Sequence, residues 1–200
     1  MKSNLRTPGR PKRKEQEPSV QETVLFKASM LFMELGYEAV SLQQIAKACG
    51  VTKASIYYYY KGKPELFTAA LTAVMRRASE RTAALLEEDM PLRERLILVS
   101  ETKLGRQHAD FETIMREARS SLSEEQLDDI RRAEEGIHEI IAGHLARSIE
   151  QGEIRQTDPL LTAYALSAVL MVGNREIAKG KTAEKLAREI VDLFWHGLEK

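Results

Sequence analysis

An all-α fold is what this chain of 200 residues predicts, and three features predict it. Capping boxes stand at Ser19/Glu22, Ser41/Gln44 and Ser123/Gln126, each able to satisfy backbone N–H groups that a helix start leaves unpaired. Apolar residues recur at three- and four-residue spacing through most of the chain. No run of useful length alternates apolar with polar as a strand does. The layout is a basic N-terminal arm over residues 1–18, a three-helix unit over 19–63 and a larger helical bundle over 64–200.

The arm is polar and basic, with prolines at 8, 11 and 18, and is expected to stay disordered when alone because it has little apolar surface to bury. Its stretch PGRPKRK, residues 8–14, resembles an AT-hook, whose extended core would place Arg10 in a narrow minor groove. A general phosphate-attracting tail is the alternative, and the sequence leaves both open.

The first helix starts at Ser19, lays Val24, Ala28, Leu31 and Leu35 on one stripe, and stops at Gly36. The second starts at or near Ser41 and is about two turns long, with Leu42, Ile45, Ala46 and Cys49 inward. Gly50 can end it in the left-handed conformation. Val51 then buries in the turn and Thr52 caps a third helix, in which Ile56 and Tyr60 share the inner face. That leaves Lys53, Ala54, Ser55, Tyr57, Tyr58 and Tyr59 mostly outward, since four consecutive tyrosines cannot all meet one core.

A long helix runs from Pro64 toward Glu88, with Phe67, Ala70, Leu71, Val74 and Ala78 inside. Pro91 opens another that ends near Gly105, and Asp110 caps a short one through Ser120. Ser123 caps a helix to Gly152, with Leu127, Ile130, Ile137, Ile141 and Leu145 inward. Asp158 and Pro159 begin a strongly apolar helix, and Thr182 to Leu198 forms the last. The helix from Leu160 to Ile177 is apolar nearly all round, so one face stays exposed unless a second copy covers it. Leu186, Ile190, Leu193, Phe194 and Trp195 stand beside it on the last helix.

Two short capped helices about a tight turn, with small residues, a lysine and tyrosines outward, suit a major groove: small residues let a helix approach base edges and hydroxyls reach phosphates. The run SLQQIAKACGVTKASIYYYYKGK from Ser41 to Lys63 resembles the DNA-binding signature of the tetracycline-repressor (TetR) family, AcrR-like members included. The likeness is close over residues 20–67 and weaker beyond. It implies an all-α homodimer, with a three-helix helix-turn-helix DNA-binding head and a C-terminal helical ligand-binding and dimerisation bundle. Carried over position by position, Ser41 and Gln43 open the first motif helix against DNA, and Lys53, Ala54 and Ser55 lead the recognition helix. Tyr57, Tyr58, Tyr59 and Lys63 hold phosphates or flank the bases. The chain departs from the usual pattern at Ala54, where glycine is frequent, at Tyr60, where phenylalanine is, and at Pro64, where an acidic residue often stands. Proline at the first helical position loses no hydrogen bond.

Charge distribution agrees. The chain holds thirty basic and thirty acidic side chains, yet residues 1–63 carry eleven Lys/Arg against five Glu, a net +6 that leaves −6 on the remainder. A basic reader on an acidic body is the pattern expected when only the first part meets nucleic acid. One cysteine excludes an intramolecular disulfide, no leader-like apolar stretch opens the chain, and the apolar segment 163–172 is too short for the ~20 residues of a membrane span. A cytoplasmic protein with no membrane span is expected.

In the body, Phe111, Met115, His138, Tyr164, Met171 and Asn174 are candidate pocket residues, because they come from different middle helices and mix bulk with a few polar groups. An apolar or amphipathic small-molecule effector is expected there. His108, His138, His144 and His196 lack metal-site spacing, and Cys49, at the end of an apolar stripe, reads as a structural thiol. No phosphate loop, nucleophile elbow or triad spacing is present, so no catalytic residue, metal or cofactor is expected. The reading is a ligand-responsive regulator, most simply a repressor, on a near-palindromic double-stranded operator. A helical small-molecule-binding or adaptor protein without sequence-specific DNA binding is the competing class.

Overall fold

The computed structural model describes residues 18–104, 111–177 and 179–198. Among them are nine α-helices and no strand: α1 Val20–Ala39, α2 Leu42–Cys49, α3 Lys53–Tyr59, α4 Lys63–Leu86, α5 Leu92–Lys103, α6 Phe111–Ala118, α7 Glu124–Glu150, α8 Pro159–Ile177 and α9 Ala183–Leu198. A 3-10 turn, Arg119–Ser121, links α6 to α7. Arg10 and the rest of the arm through residue 17, and Asp110 with its expected cap, lie outside the described residues.

All three capping boxes form. At Ser19, Ser41 and Ser123 the hydroxyl accepts the backbone N–H three residues on, and that residue's side chain accepts the serine's own N–H. Asp158 Oδ1 accepts the N–H groups of Leu160 and Leu161, both at 3.0 Å, and so starts α8.

Gly36 breaks α1 but does not finish it. Its backbone turns to φ 83°, ψ 176°, and one short turn follows through Ala39. The buried stripe of α1 is Val24, Ala28 and Phe32, with Leu31 half-buried and Leu35 exposed, which corrects the expected phase. Leu31, Phe32, Met33 and Leu35 offer two overlapping apolar stripes, and the one that meets α4 wins.

The buried side chains form two clusters. One joins α1, α2 and α3 to Leu66, Phe67, Ala70 and Leu71 of α4, and also takes Ile114 and Ala118 of α6 and Ile130 of α7. The other joins Leu86 at the far end of α4 to α5, to Ile141 and Leu145 of α7, and to α8 and α9. Helices α4 and α7 pack along each other and so connect the two cores. No described helix is long and apolar enough to cross a membrane.

Candidate nucleic-acid interface

The α2–α3 unit is held from beneath. Ile45, Ala46 and Ile56 are buried at its base, and Val51 and Cys49 pack at the edge. Gly50 sits at φ 66°, ψ 29°, and the N–H of Val51 reaches Ala46 O at 3.0 Å, which closes the helix end and redirects the chain into α3. Thr52 Oγ1 accepts the N–H of Ser55 at 3.1 Å, fixing the start of α3. The Cys49 thiol lies 3.8 Å from Thr23 O, and burial pushes its pKa up, as suits an unreactive structural thiol.

This base leaves an open outer face. Ser41, Gln43, Lys53, Ala54, Tyr57 and Tyr58 are exposed, Tyr58 at 81%. An aromatic exposed to that degree contributes little to the core. Lys53 Nζ lies 5.7 Å from the centre of the Tyr57 ring, so the cation and the phenol point from one face.

Ser55, Tyr59 and Lys63 sit differently from the simple outward picture. Ser55 is half-buried, and its hydroxyl is 2.9 Å from Thr52 Oγ1, so the side chain is already oriented. Tyr59 is half-buried against the core, with its ring edge-on to Tyr58 at 4.9 Å. A seven-residue helix has no face wide enough to keep Tyr57, Tyr58 and Tyr59 all in solvent.

Lys63 folds back over the head. Its Nζ stands 4.2 Å from the centre of the Tyr37 ring and 3.4 Å from Glu38 O. Burial lowers its pKa, with Glu38 and Glu117 acting the other way. The α3–α4 turn is fixed by Glu65, whose Oε2 accepts the N–H of Lys61 at 2.7 Å, and Pro64 falls in the first turn of α4, where no N–H is missed.

One interaction was illegible in the sequence. Glu117, on α6, places Oε2 2.9 Å from the N–H of Tyr37 and 3.3 Å from that of Glu38, closing the corner between α1 and α2. A Cβ on Gly36 would lie 2.6 Å from that oxygen. The pairing spans about eighty residues, so no local spacing signals it.

The six candidate pocket residues fall in different surroundings. Phe111 and Met115 pack against the head cluster, while Tyr164, Met171 and Asn174 stand exposed on the outer face of α8. His138 and Tyr164 do meet, ring centres 4.7 Å apart. A helix apolar all round gives no sequence clue to which face looks inward. Among the described residues, Leu96, Leu145, Leu166, Phe194 and Trp195 line part of an apolar recess.

Residues 24–70 match the pattern of a family described as bacterial regulatory proteins, tetR family. An uncharacterized HTH-type transcriptional regulator of Bacillus subtilis (strain 168), YhgD, is 25% identical over 148 residues, covering 73% of this chain and 78% of YhgD. The HTH-type transcriptional regulator AcrR of Shigella flexneri is 39% identical over 57 residues, 28% of this chain and 26% of AcrR. The fold is similar to that of a protein from Saccharomonospora viridis, described as a transcriptional regulator and solved in complex with choline. That match has a TM-score of 0.72 and 24% identity, and covers 90% of this chain and 97% of the other.

Proposed function

Because the chain belongs to the tetR family of bacterial regulatory proteins, we propose that it is a repressor released from a near-palindromic operator by a small apolar or amphipathic effector. The observation that carries this is the face of α2 and α3 itself. Lys53, Ala54, Tyr57 and Tyr58 project from a helix whose opposite side, at Ile56, is fully buried and capped at its start. A rigid base under a cationic, small and phenolic face is what groove reading requires. That a protein of like fold holds choline supports a ligand-binding body, and the site of action is the cytoplasm, where an operator is met.

Two copies would present two recognition helices to successive major grooves, roughly 34 Å apart. The surface that supports this is on α8 and α9, where Leu161, Met171, Val172 and Leu193 are exposed, Leu193 at 72%. A stable interface needs roughly 800 Å² from each partner, and four large apolar side chains at its centre are a fitting core for it. Val172→Glu with Leu193→Glu is expected to yield a folded monomer by light scattering, with operator affinity lost. A variant that stays dimeric would move the interface elsewhere.

The test of the reading is selection from a randomised DNA pool at two salt concentrations. A near-palindrome bound by a dimer or pair of dimers is expected, and salt-sensitive binding without sequence preference would reduce the head to a general anchor. On the selected site, Lys63→Ala should weaken binding to all sequences alike and lower the salt slope by about 0.9 for each phosphate no longer neutralised. Lys53→Ala should instead change preference at particular bases. Equal effects of the two on every sequence would make Lys53 a phosphate contact and remove it from base reading.

A further inference from the structure

In a body built of leucine and isoleucine, one seam carries charge. Lys103, the last residue of α5, holds Nζ 3.5 Å from Ser167 Oγ on α8, and no carboxylate among the described residues comes within the 4.0 Å of an ion pair. Facing it from α7 is His138, whose buried Nδ1 has no hydrogen-bond partner. On α5 itself, Leu96, Ser100 and Lys103 follow at spacings that share one helix face. Ser100 is fully buried, and its hydroxyl also lacks a partner. The line ends at Leu96, in the wall of a small apolar recess of about 10 Å³ lined also by Leu145, Leu166 and Trp195. Seven residues of helix separate the two ends by roughly 10 Å.

Buried polar atoms without partners, and a partly buried lysine with no described carboxylate at ion-pair distance, are costly to keep in a fold that gains nothing from them. We propose that this seam between α5, α7 and α8 binds an amphipathic carboxylic acid, its carboxylate on Lys103, Ser167 and His138 and its chain along α5 toward Leu96, where the apolar side chains part to admit it. The proposal rests on the reading of the body as ligand-sensing and names the class of effector. An ammonium ligand would meet Lys103 as a like charge, and a neutral alcohol would leave that lysine unpaired.

The surrounding charges fit. Burial lowers the pKa of Lys103 to about 8, with Glu134 of α7 acting the other way. Glu134 is itself raised, by burial and by Glu112 of α6, so it gives up its charge, and its repulsion of an acid, more readily. Arg131 of α7 adds a positive neighbour to Glu134, while Glu135 and Glu139 act on Tyr164 of α8. Burial and Lys103 lower His138, and burial and Glu135 raise Tyr164, which leaves Lys103, among these described groups, as the one that changes charge between pH 7 and 9.

The test is titration calorimetry of the full chain, without DNA, against octanoate, octylamine and 1-octanol. Octanoate is expected to bind at least tenfold more tightly than the other two. Lys103→Met should lose that advantage, Lys103→Arg should keep it, and Ser167→Ala, a milder change, should weaken octanoate severalfold. Raising pH from 7 to 9 should weaken octanoate about tenfold in the native chain, as Lys103 loses its proton, and leave Lys103→Arg unaffected. Octylamine or octanol binding as well as octanoate, octanoate binding unchanged in Lys103→Met, or no octanoate binding would each overturn the proposal. Operator binding by the ligand-free protein is measured separately, so failure of this inference is distinct from failure of the regulator reading.

Discussion

Phe67→Ala is expected to cost about 3–5 kcal/mol of folding stability, the range for truncating a buried phenylalanine. Phe67 is fully buried and stands edge-on to two other rings, Phe32 at 5.0 Å and Tyr37 at 4.8 Å. Aromatic pairs of this geometry contribute about 0.5–1.5 kcal/mol beyond the area they bury, so the value should fall in the upper half of the range. Against a total stability of roughly 5–15 kcal/mol, that is a large share. The consequence reaches DNA, because the same three rings join α1 to the first turns of α4 and Tyr37 supports Lys63. Chemical denaturation should show the loss and a midpoint shifted without a change of slope. A cost under about 1 kcal/mol would mean that the three rings are not packed as described.

Gly36→Ala is expected to be the most damaging substitution of similar size in the head. At φ 83° and ψ 176° the backbone occupies a region that is essentially reserved for glycine, a strain of about 1–3 kcal/mol for any side chain. The new Cβ would also meet Glu117 Oε2 and push that carboxylate from the N–H groups of Tyr37 and Glu38. Glu117→Ala, by contrast, loses those two hydrogen bonds and nothing in the backbone. Once Gly36→Ala has displaced the carboxylate, removing it costs little more, so the double variant should be less destabilised than the sum by roughly 0.5–3 kcal/mol. Thermal or urea unfolding of the four proteins measures this. Additivity to within about 0.5 kcal/mol would show that the carboxylate does not hold this corner.

What could be read in the sequence was local. The capping boxes at Ser19, Ser41 and Ser123, the left-handed Gly50 and the inner pair Ile56 and Tyr60 depend on residues within one turn of each other, and each stands in the structure. Phase and pairing were not legible. Leu35 faces solvent because the partner helix selects between two apolar stripes. Tyr164, Met171 and Asn174 face outward because α8 is apolar on every side and only its neighbours define an interior. Glu117 could not be placed, since a carboxylate on one amphipathic helix carries no mark of the backbone corner it closes. In the candidate site, the exposure of Lys53, Ala54, Tyr57 and Tyr58 followed from the helix period. The inward turn of Lys63 did not, because it depends on Tyr37 being carried there by α1.

The head's core does not end where its motif ends. Ile114, Ala118 and Ile130, donated by α6 and α7, fill it alongside residues of α4. A hybrid regulator made by grafting residues 1–63 onto a foreign body would therefore inherit the reading face without the side chains that seat it. Splice points chosen by motif would fail, while a graft that carries over the α4 segment from Leu66 to Leu71, together with the partners at 114, 118 and 130, should transplant the specificity intact.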